Sequence, residues 1–189
     1  MILADKWKDY EVIETGGGDK LERWNKFVLL RPDPQVIWQT NITKKAMAHG
    51  IYKRSSSGGG KWDFKRNLPE SWNISYRNLK FIVRPTGFKH TGLFPEQAAN
   101  WDFIDEMISG SNRDIKVLNL FAYTGGATVA AAAAGASVCH VDASKGMVAW
   151  EKDNAKASGL ADKPIRYIVD DVLKFVLREQ RRGNKYHAI

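Results

Sequence analysis

The groups best suited to chemistry in this sequence stand at three points in its second half. They are the run Phe121-Ala122-Tyr123-Thr124-Gly125-Gly126-Ala127, the acid Asp142, and the pair Asp170-Asp171. Each comes at the end of a short apolar stretch: Val117–Phe121, Ser137–Val141 and Ile165–Val169. Adjacent glycines let the backbone approach a ligand closely and accept positive φ without cost. A helix opening at such a turn points its unbonded N–H groups at a carboxylate or phosphate. The plain alternative for a glycine pair is a tight turn with no ligand. Asp142, 17 residues beyond Gly125, is placed to accept both hydroxyls of a ribose. Its competing role is to cap the following helix, for which Ser144 is also available. One member of Asp170-Asp171 can accept from the amino group of adenine, with Val172 or Leu173 over the ring, while the other caps a helix. The chemistry is that of holding a nucleoside-bearing small molecule.

The loop itself discriminates between two such molecules. A nicotinamide dinucleotide needs three glycines spaced G-x-G-x-x-G so that a pyrophosphate can enter. Tyr123-Thr124-Gly125-Gly126-Ala127 lacks that spacing. S-adenosylmethionine (SAM) carries no phosphate and needs only one backbone-lined carboxylate site and a few acceptors for its ammonium. The loop therefore fits SAM better than a dinucleotide. Gln97, on the first turn after Pro95, is a candidate polar contact to the same ligand. His90 is either a contact or a hydrogen-bonded structural residue.

The elements that must position these groups follow from periodicity. Pro95 can open a helix in which Trp101, Ile104 and Ile108 fall at helical spacing. Thr128–Ala134 reads as a helix of small residues closed by Gly135, and Ser144 caps a helix running to about Gly159. Asp170 or Asp171 opens another through Arg178, and Tyr186–Ile189 starts a fourth strand. Strands alternating with helices imply α/β architecture with a parallel sheet whose ligands bind at the strand ends. Before residue 90 the pattern is different. Short β-type segments are expected at Phe27–Arg31, Val36–Gln39, Lys61–Lys65, Trp72–Tyr76 and Lys80–Arg84, between turns at Gly16-Gly17-Gly18, Pro32-Asp33-Pro34 and Ser55–Gly60. Ser55–Gly60 resembles a phosphate loop only in composition; with no strand feeding a helix, it reads as a hairpin tip.

Charge divides the chain at the same place. Residues 1–90 hold 17 Lys/Arg against 9 Asp/Glu, whereas residues 91–189 hold 12 of each. Residues 44–89 concentrate the excess, with 11 basic side chains, two acids, and seven interleaved aromatics: Tyr52, Trp62, Phe64, Trp72, Tyr76, Phe81 and Phe88. Cations beside aromatic faces suit a polyanion with stackable bases, though a solvated basic surface over an aromatic core has the same composition. No run is long enough for a membrane helix. The single Cys139 excludes an internal disulfide, fits a reducing cytoplasm, and reads as a small core residue rather than a nucleophile. His49, His140 and His187 lack metal-ligand spacing, so no metal is expected. Trp7, Trp24 and Trp38 read as core or interdomain packing.

The sequence resembles the bacterial class I SAM-dependent ribosomal-RNA large-subunit methyltransferases, a group that includes 23S rRNA cytosine-5 and guanine methyltransferases. The likeness is carried by Val117–Gly126, by His140-Val141-Asp142-Ala143-Ser144, by Glu151–Leu160, by Val169–Val172, and upstream by Lys89–Gln97. It implies a Rossmann-like class I methyltransferase sheet, present in part over residues 91–189, preceded by a small β-rich domain, residues 1–90, that contacts RNA. It further implies SAM as cofactor, ribosomal RNA as partner, a cytoplasmic setting, and cofactor contacts from Phe121, Tyr123, Thr124, Gly125, Gly126, Asp142, Ala143, Ser144, Asp170 and Asp171. Phe94 and Gln97 belong to a segment the family places over the methionine end of the cofactor. The family's fold has seven strands, and its fourth continues into an Asp-Pro-Pro motif lining the target-base pocket. The sequence ends at Ile189, short of that motif. No catalytic residue is therefore assigned, and the chain by itself is expected to be inactive. The other classes to weigh are a non-catalytic RNA-binding module with a vestigial nucleotide pocket and a nicotinamide-dependent oxidoreductase.

Overall fold

The computed structural model describes residues 3–56 and 58–189. They fall into two compact units, one made of Lys6–Arg77 with Ile82–Leu93, the other of residues 3–5, Asn78–Phe81 and Phe94–Ile189.

The first unit is built on a five-stranded sheet in the order β1-β2-β3-β4-β5. Strands β1 (Tyr10–Gly16), β2 (Asp19–Trp24) and β3 (Phe27–Pro32) form an antiparallel meander, and β4 (Gly50–Arg54) and β5 (Gly60–Phe64) form a hairpin. β3 and β4 run parallel, joined by the crossover of residues 33–49. β3 is the central strand, and its residues Phe27 to Arg31 are all buried, as expected of a continuous apolar run covered on both faces. Leu21, Val28, Leu30 and Ala48 form one core, with Ile13, Ile42 and Ile51 packed against it. Within the same sheet Glu22 is fully buried and satisfied by Arg31 and by the Tyr10 hydroxyl at 2.5 Å. Residues 55–59 join the two strands of the β4–β5 hairpin, as their composition suggests; Ser57, in that segment, lies outside the described residues. β6 (Trp72–Tyr76) and β7 (Leu79–Val83) make a separate two-stranded sheet.

Two expectations for this half need correcting. Val36–Gln39 is not a strand. It is an irregular segment held to the β1–β2 turn, with Gly17 N donating to Trp38 O at 3.0 Å and Trp38 Nε1 donating to Thr15 O at 3.1 Å. Trp38 is consequently half exposed rather than core, unlike Trp24, which is fully buried. β1, β2 and β4 were not legible in advance. In β1 the register shifts between Val12 and Glu14, and such a bulge breaks the two-residue alternation by which a strand is read.

The second unit is α/β. Its parallel sheet has the order β10-β9-β8, from β8 (Lys116–Leu120), β9 (Ser137–Asp142) and β10 (Ile165–Val169). Helices α1 (Ala98–Ser109), α2 (Gly126–Ala133), α3 (Lys145–Ala157) and α4 (Val172–Arg181) accompany it. The expected fourth strand is reduced to one parallel bridge, Val117 to Ala188, with Leu118 N donating to Ala188 O at 2.9 Å. That bridge puts the chain on the far side of β8 from β9. The order of chain passage thus reverses at β8, the arrangement that opens a ligand crevice beyond the strand ends.

Candidate cofactor site

Register brings the three chemical segments to one edge of the sheet. Leu120 on β8 lies opposite Val141, and Val169 on β10 lies opposite Asp142. Beyond the strands the backbone continues the stitching: Ala122 N donates to Val141 O, and Asp170 N donates to Asp142 O, both at 3.1 Å.

The turn after β8 is strained. Phe121, Tyr123 and Gly125 all adopt left-handed backbone, with φ of 52°, 53° and 81°. Glycine does this freely, but each aromatic residue costs about 1–3 kcal/mol. Sequence reasoning placed the positive φ on the glycine pair; the structure gives it to Gly125, Phe121 and Tyr123, while Gly126 is helical. Asp142 holds the strained form. Its Oδ2 accepts from Tyr123 N at 2.9 Å and its Oδ1 from Ser144 N at 2.8 Å. From α3, Asn154 Nδ2 donates to Thr124 O at 2.8 Å, and Thr124 is itself buried. Phe121 is left 77% exposed, and the Phe94 ring lies 5.4 Å from that of Tyr123.

Both glycines are required for space, and Gly125 for its left-handed conformation as well. A Cβ on Gly125 would fall 2.0 Å from Cγ of Glu151, and one on Gly126 would fall 2.8 Å from the Trp101 ring. α2 therefore starts close against α3 and α1. Gly125, its N-cap, supplies no side-chain acceptor, and the first helical bond runs from Val129 N to Gly125 O at 2.8 Å. The amides of Gly126, Ala127 and Thr128 precede that bond and have no acceptor within the helix, which makes them an anion-binding end.

Behind the turn lies a buried polar layer that sequence reasoning missed. Asn119 Nδ2 donates to Thr128 Oγ1 at 2.8 Å, and that oxygen is 2.9 Å from His140 Nδ1. Burial pushes the His140 imidazole down to about 4, so the ring is neutral. Glu151 is fully buried, and among the described residues neither of its carboxylate oxygens makes a hydrogen bond of good geometry, the Tyr167 hydroxyl acting on it only weakly. Burial raises its carboxyl to about 7, against the opposing influence of the Tyr167 hydroxyl and Lys152. One signal was available: Val148, Glu151 and Ala155 share a helical face, so an acid sits on the apolar side of α3.

The other candidates divide by role. Ser144 caps α3, accepting from Met147 N at 3.4 Å, and Ala143 beside it is exposed. Asp171 caps α4, accepting from Lys174 N at 2.9 Å, while the Asp170 carboxylate pairs with Arg178. Gln97 ends a short 3-10 turn, Pro95–Gln97, and accepts from Asn100 Nδ2 at 2.8 Å. Cys139 is buried in the sheet core with Leu118, Val141 and Phe175. The assembled edge offers one anion-binding helix end, one carboxylate at a second strand end, a second acid at the third, and exposed apolar surface from Phe121 and Leu173. This set suits an amino acid joined to a nucleoside. Among the described residues it has no second glycine-lined turn for a pyrophosphate.

Residues 34–187 match the family described as S-adenosylmethionine-dependent methyltransferase. The chain belongs to that family. Among solved structures, the SAM-dependent methyltransferase from Agrobacterium tumefaciens is similar at 41% identity with a TM-score of 0.89, over 95% of this chain and 58% of that one. A protein from Streptococcus mutans, described as a putative SAM-dependent methyltransferase, shares the fold with a TM-score of 0.75 at 22% identity, over 96% of this chain and 51% of that one. Among curated proteins, ribosomal RNA large subunit methyltransferase K/L of Shewanella sp. (strain W3-18-1) is 39% identical over 98 residues, 51% of this chain and 13% of that protein. The protein of the same name from Syntrophotalea carbinolica is 31% identical over 129 residues, 68% of this chain and 18% of that protein. This methyltransferase-family chain thus matches only a small share of those curated relatives.

Proposed function

We propose that this chain forms the cofactor-binding part of an enzyme that methylates a base of large-subunit ribosomal RNA in the cytoplasm. The observation that carries the reading is the strained Phe121–Gly125 turn clamped by Asp142 at the opening of α2. Strain at such a turn is retained where the turn has work to do.

SAM, when bound, supplies the methyl group from its sulfonium. The chain's residues bind and orient it. The free amides at the start of α2, reached over Gly125 and Gly126, receive the methionine carboxylate. Asp142 uses one lone pair of Oδ2 for the Tyr123 amide and one of Oδ1 for the Ser144 amide; those remaining accept the ribose hydroxyls. Asp170 or Asp171 accepts from the adenine amino group, beside the exposed Leu173. Ala143 and Ser144 line the ribose side, and Phe94, Tyr123 and Gln97 flank the methionine end. Fixing the methyl group this way converts transfer into a reaction between held partners, a large part of the rate in such enzymes. The basic β-rich domain, residues 1–90, contacts the RNA. Its excess of positive charge and the names of the curated relatives support this.

Calorimetric titration of the 189-residue chain tests the cofactor reading. SAM and S-adenosylhomocysteine are expected to bind with one-to-one stoichiometry, and NAD to give no binding heat. Binding of NAD, or no binding of either sulfur nucleoside, overturns it.

A further inference from the structure

The first unit carries a chemical constellation of its own. Cations gather around the loop Thr86–His90. Lys20 on β2 and Arg31 on β3 are direct cross-strand partners. Lys20 lies 3.3 Å from both Glu22 and Asp33, and Arg31 pairs with Glu22 at 2.7 Å. These two acids are thereby matched. Arg54, at the end of β4, and Lys89 have no carboxylate within ion-pair distance among the described residues; the Lys89 ammonium donates only to Pro32 O, at 3.3 Å. Lys89 is held below its ordinary range first by burial and then by the charge of Arg54, with Arg31 and Lys20 adding to the crowding and Asp33 opposing it only in part. His90 is lowered by burial and by Arg31, Lys89 and Lys20. Like charges so crowded are relieved by an anion.

The same loop displays an aromatic ring on a fixed base. Trp62 Nε1 donates to Thr86 O at 2.8 Å, Tyr52 Oη donates to Gly87 O at 3.3 Å, and Arg31 Nη1 donates to Lys89 O at 2.9 Å. Thr86 Oγ1 donates to His90 O at 2.9 Å and accepts from Phe88 N at 3.2 Å. Inside this framework Phe88 is 70% exposed. A hydrogen-bonded loop that presents phenylalanine to water, next to cations with no carboxylate at ion-pair distance among the described residues, has the two parts needed to hold one unpaired nucleotide.

We propose that Phe88 stacks against an unpaired RNA base while Arg54 and Lys89 hold the adjoining phosphate, forming a single-strand station on the first unit. The proposal rests on the reading that this chain binds RNA. It adds the place and the form of the RNA: one flipped or looped-out nucleotide rather than a duplex face.

The test is fluorescence polarisation of the 189-residue chain with a labelled ten-nucleotide single-stranded RNA, a ten-base-pair RNA duplex, and inorganic polyphosphate. Phe88→Ala is expected to weaken single-strand binding about tenfold, the scale of one lost base stack, and Phe88→Trp to retain it. Neither change should alter polyphosphate binding, which has no base to stack. Arg54→Gln should weaken all three probes and flatten the single-strand salt slope by about 0.7, as for one lost phosphate contact. Phe88 and Arg54 are exposed, so the variants keep the parent's circular dichroism. If the parent chain binds RNA and both variants bind like it, the station is refuted while the RNA reading stands. If Phe88→Ala weakens polyphosphate as much as RNA, the ring has no stacking role and the proposal also fails. If the parent binds none of the RNA probes, both readings fall together.

Discussion

Replacing Glu151 by glutamine should stabilise the second unit in a pH-dependent way. Glutamine is nearly isosteric and has no charge, so the packing of the side-chain stem against Gly125 is kept. The ordinary carboxyl value is 4.5, and the folded protein raises it to about 7. An acid whose value rises on folding binds more protons folded than unfolded between those two limits. Its contribution is therefore complete below pH 4.5 and is lost as pH climbs through 7. The loss amounts to about 3–4 kcal/mol at most, at about 1.4 kcal/mol for each pH unit separating the two values. The parent's own stability curve does not isolate this, because His140 works the other way. With its value depressed from 6.5 to about 4, it favours folding above pH 6.5 and ceases to do so as pH falls through 4. The two slopes oppose each other between pH 4.5 and 6.5, but His140 is common to parent and variant. The difference between them reports Glu151 alone. Among the described residues the α-helices all lie between Ala98 and Arg181, so urea denaturation followed by circular dichroism at the helical band reads this unit. Parent and Glu151→Gln should match near pH 4.5, with the variant gaining about 3 kcal/mol by pH 8. A gap that is the same at pH 4.5 and pH 8 would refute the reasoning.

Three further outcomes follow from the site and the surface. Gly125→Ala puts a Cβ 2.0 Å from the Glu151 Cγ at a φ of 81°, and should cost more than about 2 kcal/mol and abolish S-adenosylhomocysteine binding; an unchanged melting temperature would contradict both penalties. Asp142→Ala removes the acceptor for the Tyr123 and Ser144 amides, so S-adenosylhomocysteine affinity should fall by about 1–3 kcal/mol in calorimetry; the same affinity with an intact fold would remove Asp142 from the site. Neutralising Lys44, Lys45, Lys53 and Arg54 together should flatten the salt dependence of RNA binding, less than four free cations would because Lys53 is paired with Asp63 at 2.6 Å. Identical slopes for parent and variant would defeat the assignment of RNA binding to residues 44–89.

The sequence by itself determined the α/β half and which of its segments meet at one end of the sheet. Ile165–Val169 became β10 with those bounds, Ser144 became the cap of α3, and the segments at Gly125, Asp142 and Asp170 came together. These features depend on local signals, an apolar run followed by a residue of the right turn or cap chemistry, and local signals can be read from a string of letters. The amino-terminal half was legible in part: Trp72–Tyr76 became β6 with those bounds, and β3, β5 and β7 lie within one residue of the expected segments, whereas the charged β1 and β2 escaped notice. Val36–Gln39 has the composition of a strand but pairs with no strand among the described residues, while β1 is a strand whose bulge hides its alternation. Only the tertiary structure decided why Gly125 must be glycine, since the atom that leaves no room for a side chain belongs to Glu151, 26 residues away. It also decided that Phe121 and Tyr123 take the left-handed backbone that their side chains disfavour, because Asp142 on the neighbouring strand holds the turn in that form. Contacts between elements distant in sequence supply the energy for such choices, and no local propensity encodes them.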